Sequence, residues 1–150
     1  MSFQPDFPPI EEPGIFFTAE EIEFELENET EIRHWLEKLI EQEDKSLRLL
    51  NFIFCSDEYL LRLNIEYLDH DTLTDIITFH YATPPAIEGD VFISIDRVRE
   101  NALLYNVAFE QELCRVMAHG VLHLCGYGDK TEAEAAVMRQ KEAEALERLL

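Results

Sequence analysis

Cysteine, basic side chains and long apolar runs are all scarce in this sequence, and each scarcity closes off a class of protein. The three cysteines, Cys55, Cys114 and Cys125, are too few and too unevenly spaced for a disulfide framework. None forms a CxxC pair, and an odd count suits the reduced thiols of a cytosolic protein. No apolar run nears the ~20 residues that cross a bilayer, so no membrane association is expected. The start, Met1-Ser2-Phe3-Gln4-Pro5-Asp6, has neither the basic patch nor the apolar stretch of a secretory signal. A cytoplasmic location follows as the expectation.

Basic residues number 12 against 32 acidic ones, for a formal charge of -20. They are scattered from Arg33 to Arg148 without forming a stripe. That opposes non-specific attraction to nucleic acid, which depends on Lys and Arg against phosphate. What is present is ordinary for a folded protein: 150 residues with 47% apolar content suffice for one domain with a real core and are too few for two comfortable ones. The chain is therefore expected to be one domain, 1–150, with an irregular leader over 1–14, where Pro5, Pro8, Pro9 and Pro13 cluster.

Periodicity places the elements. Ile22 to Glu27 alternates apolar and acidic residues, the mark of a half-buried strand. Asn28 or Thr30 can cap a following helix in which Ile32, Trp35, Leu36, Leu39 and Ile40 recur at helical spacing. Leu47 to Cys55 is a nearly continuous apolar run, as in a central strand buried on both faces. Ser56 or Asp57 caps the next helix, with Tyr59, Leu60, Leu63 and Tyr67 on one side. Ile76 to Tyr81 and Asp90 to Ile95 read as strands, and Asp96 opens a short helix toward Tyr105. Residues 109–125 are helical, with Gly126 as a stop, and Thr131 with Glu134 forms a capping box for a last helix to the C-terminus. The sum is an α+β fold with about four strands in a mixed sheet and about five helices.

The chemistry concentrates near residue 120. His119 and His123 lie four apart on a predicted helix, so their Cβ atoms stand about 6 Å apart on one face. One tetrahedral ion with Zn–N distances of about 2.0–2.1 Å spans that gap. A third ligand has to come from outside the helix. Gly126 and Gly128 permit a tight reversal that can bring Asp129 back to the pair. Cys125, two residues past His123, is a soft donor that has to be weighed, and packing at the helix end is the reading favoured for it. The zinc-protease helix carries Glu directly after its first His as general base. Here that residue is Gly120, which disfavours peptidase chemistry on this zincin-like metal helix. His80 is expected to pack on a strand face, His34 to lie on a helix surface, and the Glu-rich last helix to present a solvated face.

The run His119-Gly120-Val121-Leu122-His123-Leu124-Cys125-Gly126-Tyr127-Gly128-Asp129 resembles the signature H-G-x-L-H-L-x-G-Y-D-H of the YbeY family of metal-dependent endoribonucleases, the rRNA maturation factors. Asn64-Ile65-Glu66-Tyr67, Thr74-Asp75-Ile76-Ile77-Thr78-Phe79 and Gly89-Asp90-Val91-Phe92-Ile93-Ser94 resemble further segments of that family. The likeness runs from about residue 20 to the C-terminus.

The resemblance implies a single-strand-specific endoribonuclease of small-subunit rRNA maturation, with RNA as substrate and one zinc ion on His119, His123 and Asp129. Another divalent transition metal would suit the same donors. The sequence departs from the pattern at three places. Asp129 stands where the family has its third histidine, Gly128 where it has Asp, and Leu68 where it has an Arg important for activity. A guanidinium can clamp a phosphate, and leucine cannot. His70 and Lys130 are the candidates to substitute in part, and Asp75 the candidate to support a ligand histidine or order a loop. Two other readings stay open. One is a ribosome-biogenesis binding factor whose metal is structural or vestigial, its acidic surface suited to a basic protein of the small ribosomal subunit. The other is a metal-dependent hydrolase of a different substrate.

Overall fold

The structure is a computed structural model that describes residues 13–68 and 74–149. At its centre is strand β2 (Ser46–Cys55), the apolar run expected to be interior. It lies between β1 (Gly14–Glu20) and β4 (Ala86–Ser94), parallel to both, and β3 (Ile76–His80) closes the far edge antiparallel to β4. The result is a four-stranded mixed sheet with order β1-β2-β4-β3, as the α+β reading anticipates. Five helices join it: α1 (Glu29–Gln42), α2 (Asp57–Leu68), α3 (Ile95–Tyr105), α4 (Phe109–Leu124) and α5 (Glu132–Leu149).

The two faces of the sheet differ. Leu50, Phe52 and Phe54 of β2 point to the main core, where the buried stripe of α1 and the apolar side of α4 meet them. Burial of such side chains stabilises the fold by roughly 1.5–3 kcal/mol each. Leu49, Asn51 and Ile53 on the other face are only half-buried, so β2 is less enclosed than a strand covered on both sides. Among the described residues α2 packs there, closing a second small cluster of Cys55, Leu60 and Ile77.

Two local expectations need correction. Ile22 to Glu27 forms no strand, although Ile22, Phe24 and Leu26 do turn inward against the core in strict alternation. The period-2 pattern here reports alternating burial of an extended strap. Phe24 sets its ring edgewise against both Phe54 and Phe109, side-chain packing that takes the place of a ladder. Of the expected leader, residues 1–12 lie outside the described residues, and Gly14 already belongs to β1.

Asn28 takes the N-cap of α1 in the left-handed region (φ 57°) without a side-chain bond to the helix. Ser56 does cap α2, accepting from the Tyr59 amide at 3.1 Å. The capping box of α5 is reciprocal: Glu134 N–H donates to Thr131 Oγ1, and Thr131 N–H to Glu134 Oε1, each at 3.1 Å.

The placement of α4 matters most for function. It lies across β3 and β4, and at Gly120 it passes tightly over them. A Cβ at residue 120 would sit 2.8 Å from Val91 Cγ1 and 3.1 Å from Ile76 Cδ1. The helix presses on the sheet there, so the residue after His119 faces the strands. His119 and His123 flank that contact and reach toward α5 and the turn that follows.

Candidate metal centre

Helix α4 stops where its sequence says it should. Cys125 is the C-cap and Gly126 turns at φ 110°, a conformation that favours glycine. Tyr127 N–H closes back on the Leu122 carbonyl at 3.0 Å. The reversal carries Asp129 to the two histidines. Its Oδ2 lies 3.4 Å from His119 Nε2 and 3.3 Å from His123 Nε2, and the three ligand atoms fall within 4.8 Å of one another.

Those distances suit a metal. Two donors at about 2.0–2.1 Å from one tetrahedral ion stand about 3.3–3.4 Å apart. The orientation of each ring supports the same reading. His119 Nδ1 is 2.6 Å from Glu142 Oε2, and His123 Nδ1 is 2.9 Å from the Tyr127 carbonyl oxygen. An ionised carboxylate and a carbonyl can only accept, so both imidazoles carry their proton on Nδ1. Both Nε2 lone pairs are thereby directed at the space beside Asp129. This partnering of the outer nitrogen is how proteins fix a metal-ligating histidine. The residues fit a divalent transition ion held by two imidazoles and a carboxylate.

Access is one-sided. The histidine side chains are 17% and 24% exposed, whereas that of Asp129 is 42% exposed, so the centre opens to solvent on the side of the turn.

Behind the histidines lies a polar network that sequence reading missed. Glu142 of α5 is buried, and besides His119 it accepts from Arg115 Nη1 at 3.1 Å. Arg115 in turn grips the buried Glu112 with two hydrogen bonds of 2.9 and 2.7 Å. The Glu112 hydrogen bonds, with Glu142 adding to them and burial opposing, push the Arg115 pKa even higher than usual. The last helix is therefore not a wholly solvated face. A signal for Glu142 exists in the sequence: with Met138 and Ala145, the other buried residues of α5, it completes one helical stripe. A second brace reaches His123 through Tyr127, whose hydroxyl donates to Glu43 Oε1 at 2.6 Å. Lys141 Nζ holds the other Glu43 oxygen at 2.9 Å.

The remaining candidates separate. Asp75 sits just before β3, half-buried, with Oδ2 3.9 Å from Arg115 Nη2. Burial raises its carboxyl pKa, against the lowering pull of Arg115 and His119. It belongs to the surroundings of His119. Lys130 follows Asp129 with an exposed side chain, and its amide donates to Glu134 Oε1 at 3.1 Å. Leu68 ends α2, 43% exposed. His70 lies outside the described residues.

His80 corrects an expectation of packing. It is the exposed last residue of β3, at the frayed end of the strand's burial pattern. Partial desolvation, then the charge of His123, lowers its pKa. His34 is 74% exposed, as expected of a helix surface. Cys125 is buried in the core and is not part of the group formed by His119, His123 and Asp129, which suits packing; burial pushes its thiol up to about 12.

Fold and site together define an α+β protein built around a candidate metal centre on one helix. The family model described as Endoribonuclease YbeY matches residues 15–150. An Endoribonuclease YbeY of Flavobacterium johnsoniae is 53% identical over 126 residues, 84% of this chain and 91% of that protein. One of Cytophaga hutchinsonii is 51% identical over 138 residues, 91% of this chain and 96% of its own. Among solved structures, the solution structure of a Thermotoga maritima protein superposes with TM-score 0.65 at 26% identity, covering 90% of this chain and 88% of that one. The chain belongs to the endoribonuclease YbeY family, whose members are hydrolases named for cutting RNA within the strand.

Proposed function

We propose that the whole chain, 1–150, works as one metal-dependent hydrolase domain, a single-strand-specific endoribonuclease that matures small-subunit rRNA in the cytoplasm. One zinc ion held by His119, His123 and Asp129 is part of the proposal. The observation that carries it is the approach of Asp129 Oδ2 to His119 Nε2 at 3.4 Å and to His123 Nε2 at 3.3 Å, with each imidazole fixed through its other nitrogen. Family membership supports RNA as the substrate. Zinc suits two imidazoles and a carboxylate best, though nickel, iron or cobalt would accept the same donors.

When bound, such an ion would supply Lewis acidity, enough to make water a usable nucleophile near neutral pH and to polarise a phosphoryl oxygen. The chain's own residues supply the rest. Asp129 brings one negative charge where a third imidazole would bring none, which tempers that acidity. Glu142 and the Tyr127 carbonyl keep both Nε2 lone pairs aimed inward. Arg115 and Lys141 are committed to Glu112, Glu142 and Glu43, so Lys130, beside the open edge, is the cation proposed to meet substrate phosphate. His70 is a second candidate, and Asp75 is proposed to support His119 electrostatically. No described helix is long and apolar enough to cross a membrane.

A second reading is favoured by Leu68 at the family's Arg position and by the charge of -20. It is a binding factor for ribosome biogenesis that docks a basic small-subunit protein and keeps the metal for structure. One experiment separates the two. Zinc-loaded protein is incubated with single-stranded and duplex RNA, with a chelator control. Cleavage of the single strand alone, abolished by the chelator, supports the nuclease. No cleavage, with a salt-sensitive complex to a basic ribosomal protein, selects the second reading.

A further inference from the structure

Helix α5 touches the environment of all three candidate ligands, and it does so through three different side chains. At its first turn Glu134 Oε1 accepts from the backbone amides of Lys130 and Thr131 at 3.1 Å each, just past Asp129. The same carboxylate lies so near Gly128 that a Cβ there would stand 2.9 Å from Oε2. The turn on either side of Asp129 is thus held by Glu134. Two turns further on, Glu142 fixes His119 through Nδ1 at 2.6 Å. Its neighbour Lys141 holds Glu43 at 2.9 Å, Glu43 holds the Tyr127 hydroxyl at 2.6 Å, and the Tyr127 carbonyl holds His123.

The apolar grip of α5 is slight by comparison. Over Glu132–Leu149 its buried residues are Met138, Glu142 and Ala145, one of which is itself a polar link to the site, and Leu146 and Leu149 pack partly buried against the core. Trp35 Nε1 adds a hydrogen bond to the Ala145 carbonyl at 2.7 Å. With only two apolar side chains fully buried, the helix draws on this packing and also on its polar contacts for its seat. Those contacts are also the ones that orient the ligands.

We propose that α5 is the positioning element of the metal centre, with Glu134, Lys141 and Glu142 acting as positioning residues for Asp129, His123 and His119, so that metal binding and the docking of α5 are coupled. The proposal rests on the metal-site reading above. Coupling of this kind is reciprocal: what the docked helix contributes to metal affinity, the metal returns to the docked helix.

The test measures zinc affinity by competition with a chromophoric chelator, alongside helix content and thermal midpoint without metal. Glu142→Ala is expected to weaken zinc binding by about 10–100-fold, the usual effect of losing a partner of a ligating histidine. Glu142→Gln keeps a carbonyl acceptor for Nδ1 and should fall between it and the parent. Lys141→Met, acting through two intermediaries, should cost less than Glu142→Ala. In the parent, zinc should slow amide hydrogen exchange along α5, a readout that needs no variant. A merely structural role would lower the metal-free midpoint and leave zinc affinity alone. The inference is overturned if the parent binds zinc, Glu142→Gln and Lys141→Met bind within about twofold of it, and α5 exchange ignores the metal. A parent that takes up no divalent metal instead overturns the metal-site reading, and this inference with it.

Discussion

Glu142 and His119 share a 2.6 Å hydrogen bond across 23 residues of sequence, joining the last helix to the metal helix. The carboxylate can only accept, so the bond assigns the His119 proton to Nδ1. The Tyr127 carbonyl does the same for His123 at 2.9 Å. Histidine nitrogen shifts measured by NMR at neutral pH should therefore report both rings protonated on Nδ1, with and without metal. A protonated Nε2 on a neutral ring at either position contradicts the arrangement.

Gly120→Ala should be costly although alanine favours helix. The new methyl would stand 2.8 Å from Val91 Cγ1 in a buried helix–sheet contact, and such overpacking costs about 1–3 kcal/mol. Urea unfolding measures it. A variant as stable as the parent means that α4 does not press on the sheet as described.

Acid should selectively erase the contribution of Lys141. Burial raises the pKa of Glu43, but hydrogen bonds from Tyr127 and Lys141 and the charge of Lys141 outweigh it, and the net pKa is lowered from 4.5. A carboxylate lowered in the folded state stabilises the fold above its unfolded value, and that contribution is lost as pH falls through the folded one. Lys141→Met should cost about 1.5 kcal/mol near neutrality, the low end for a hydrogen bond to a charged group. The gap between parent and variant should shrink only below the ordinary carboxylate value. A gap unchanged from neutral pH down to strong acid would show that Glu43 is not its source.

The cysteines should be silent toward thiol reagents in the native protein. Burial, the main cause in each case, pushes Cys55 and Cys125 up to about 12 and Cys114 to about 11. At mildly alkaline pH, a colorimetric disulfide reagent should label none until denaturant is added. Rapid labelling of Cys125 in the folded state would reopen its candidacy as a ligand.

Much of this arrangement can be read from the sequence wherever the cause is local. The stripe Ile32, Trp35, Leu36, Leu39 and Ile40 is wholly buried on α1, and the Thr131–Glu134 box caps α5 through its own side chains. Likewise His119, His123 and Asp129 come together because a helix and a short glycine turn suffice to join them. What stays hidden depends on distant partners. Gly14–Glu20 becomes a strand only by lying parallel to β2, more than 30 residues away in sequence, while the neighbouring Ile22–Leu26 pattern, which looks more like a strand, finds side-chain packing in place of a ladder. The stripe with Met138 and Ala145 marks Glu142 as inward-facing without telling what it meets there. Its partners, His119 and Arg115, lie on another helix.

The central claim is that His119 and His123 hold one metal ion with Asp129. Elemental analysis of the purified protein, beside a variant carrying His119→Ala and His123→Ala together, tests it most directly. The account predicts a stoichiometric divalent transition metal in the parent, zinc foremost, and none retained by the double variant. Stoichiometric metal in the double variant, or none in a parent exposed to zinc, would contradict it.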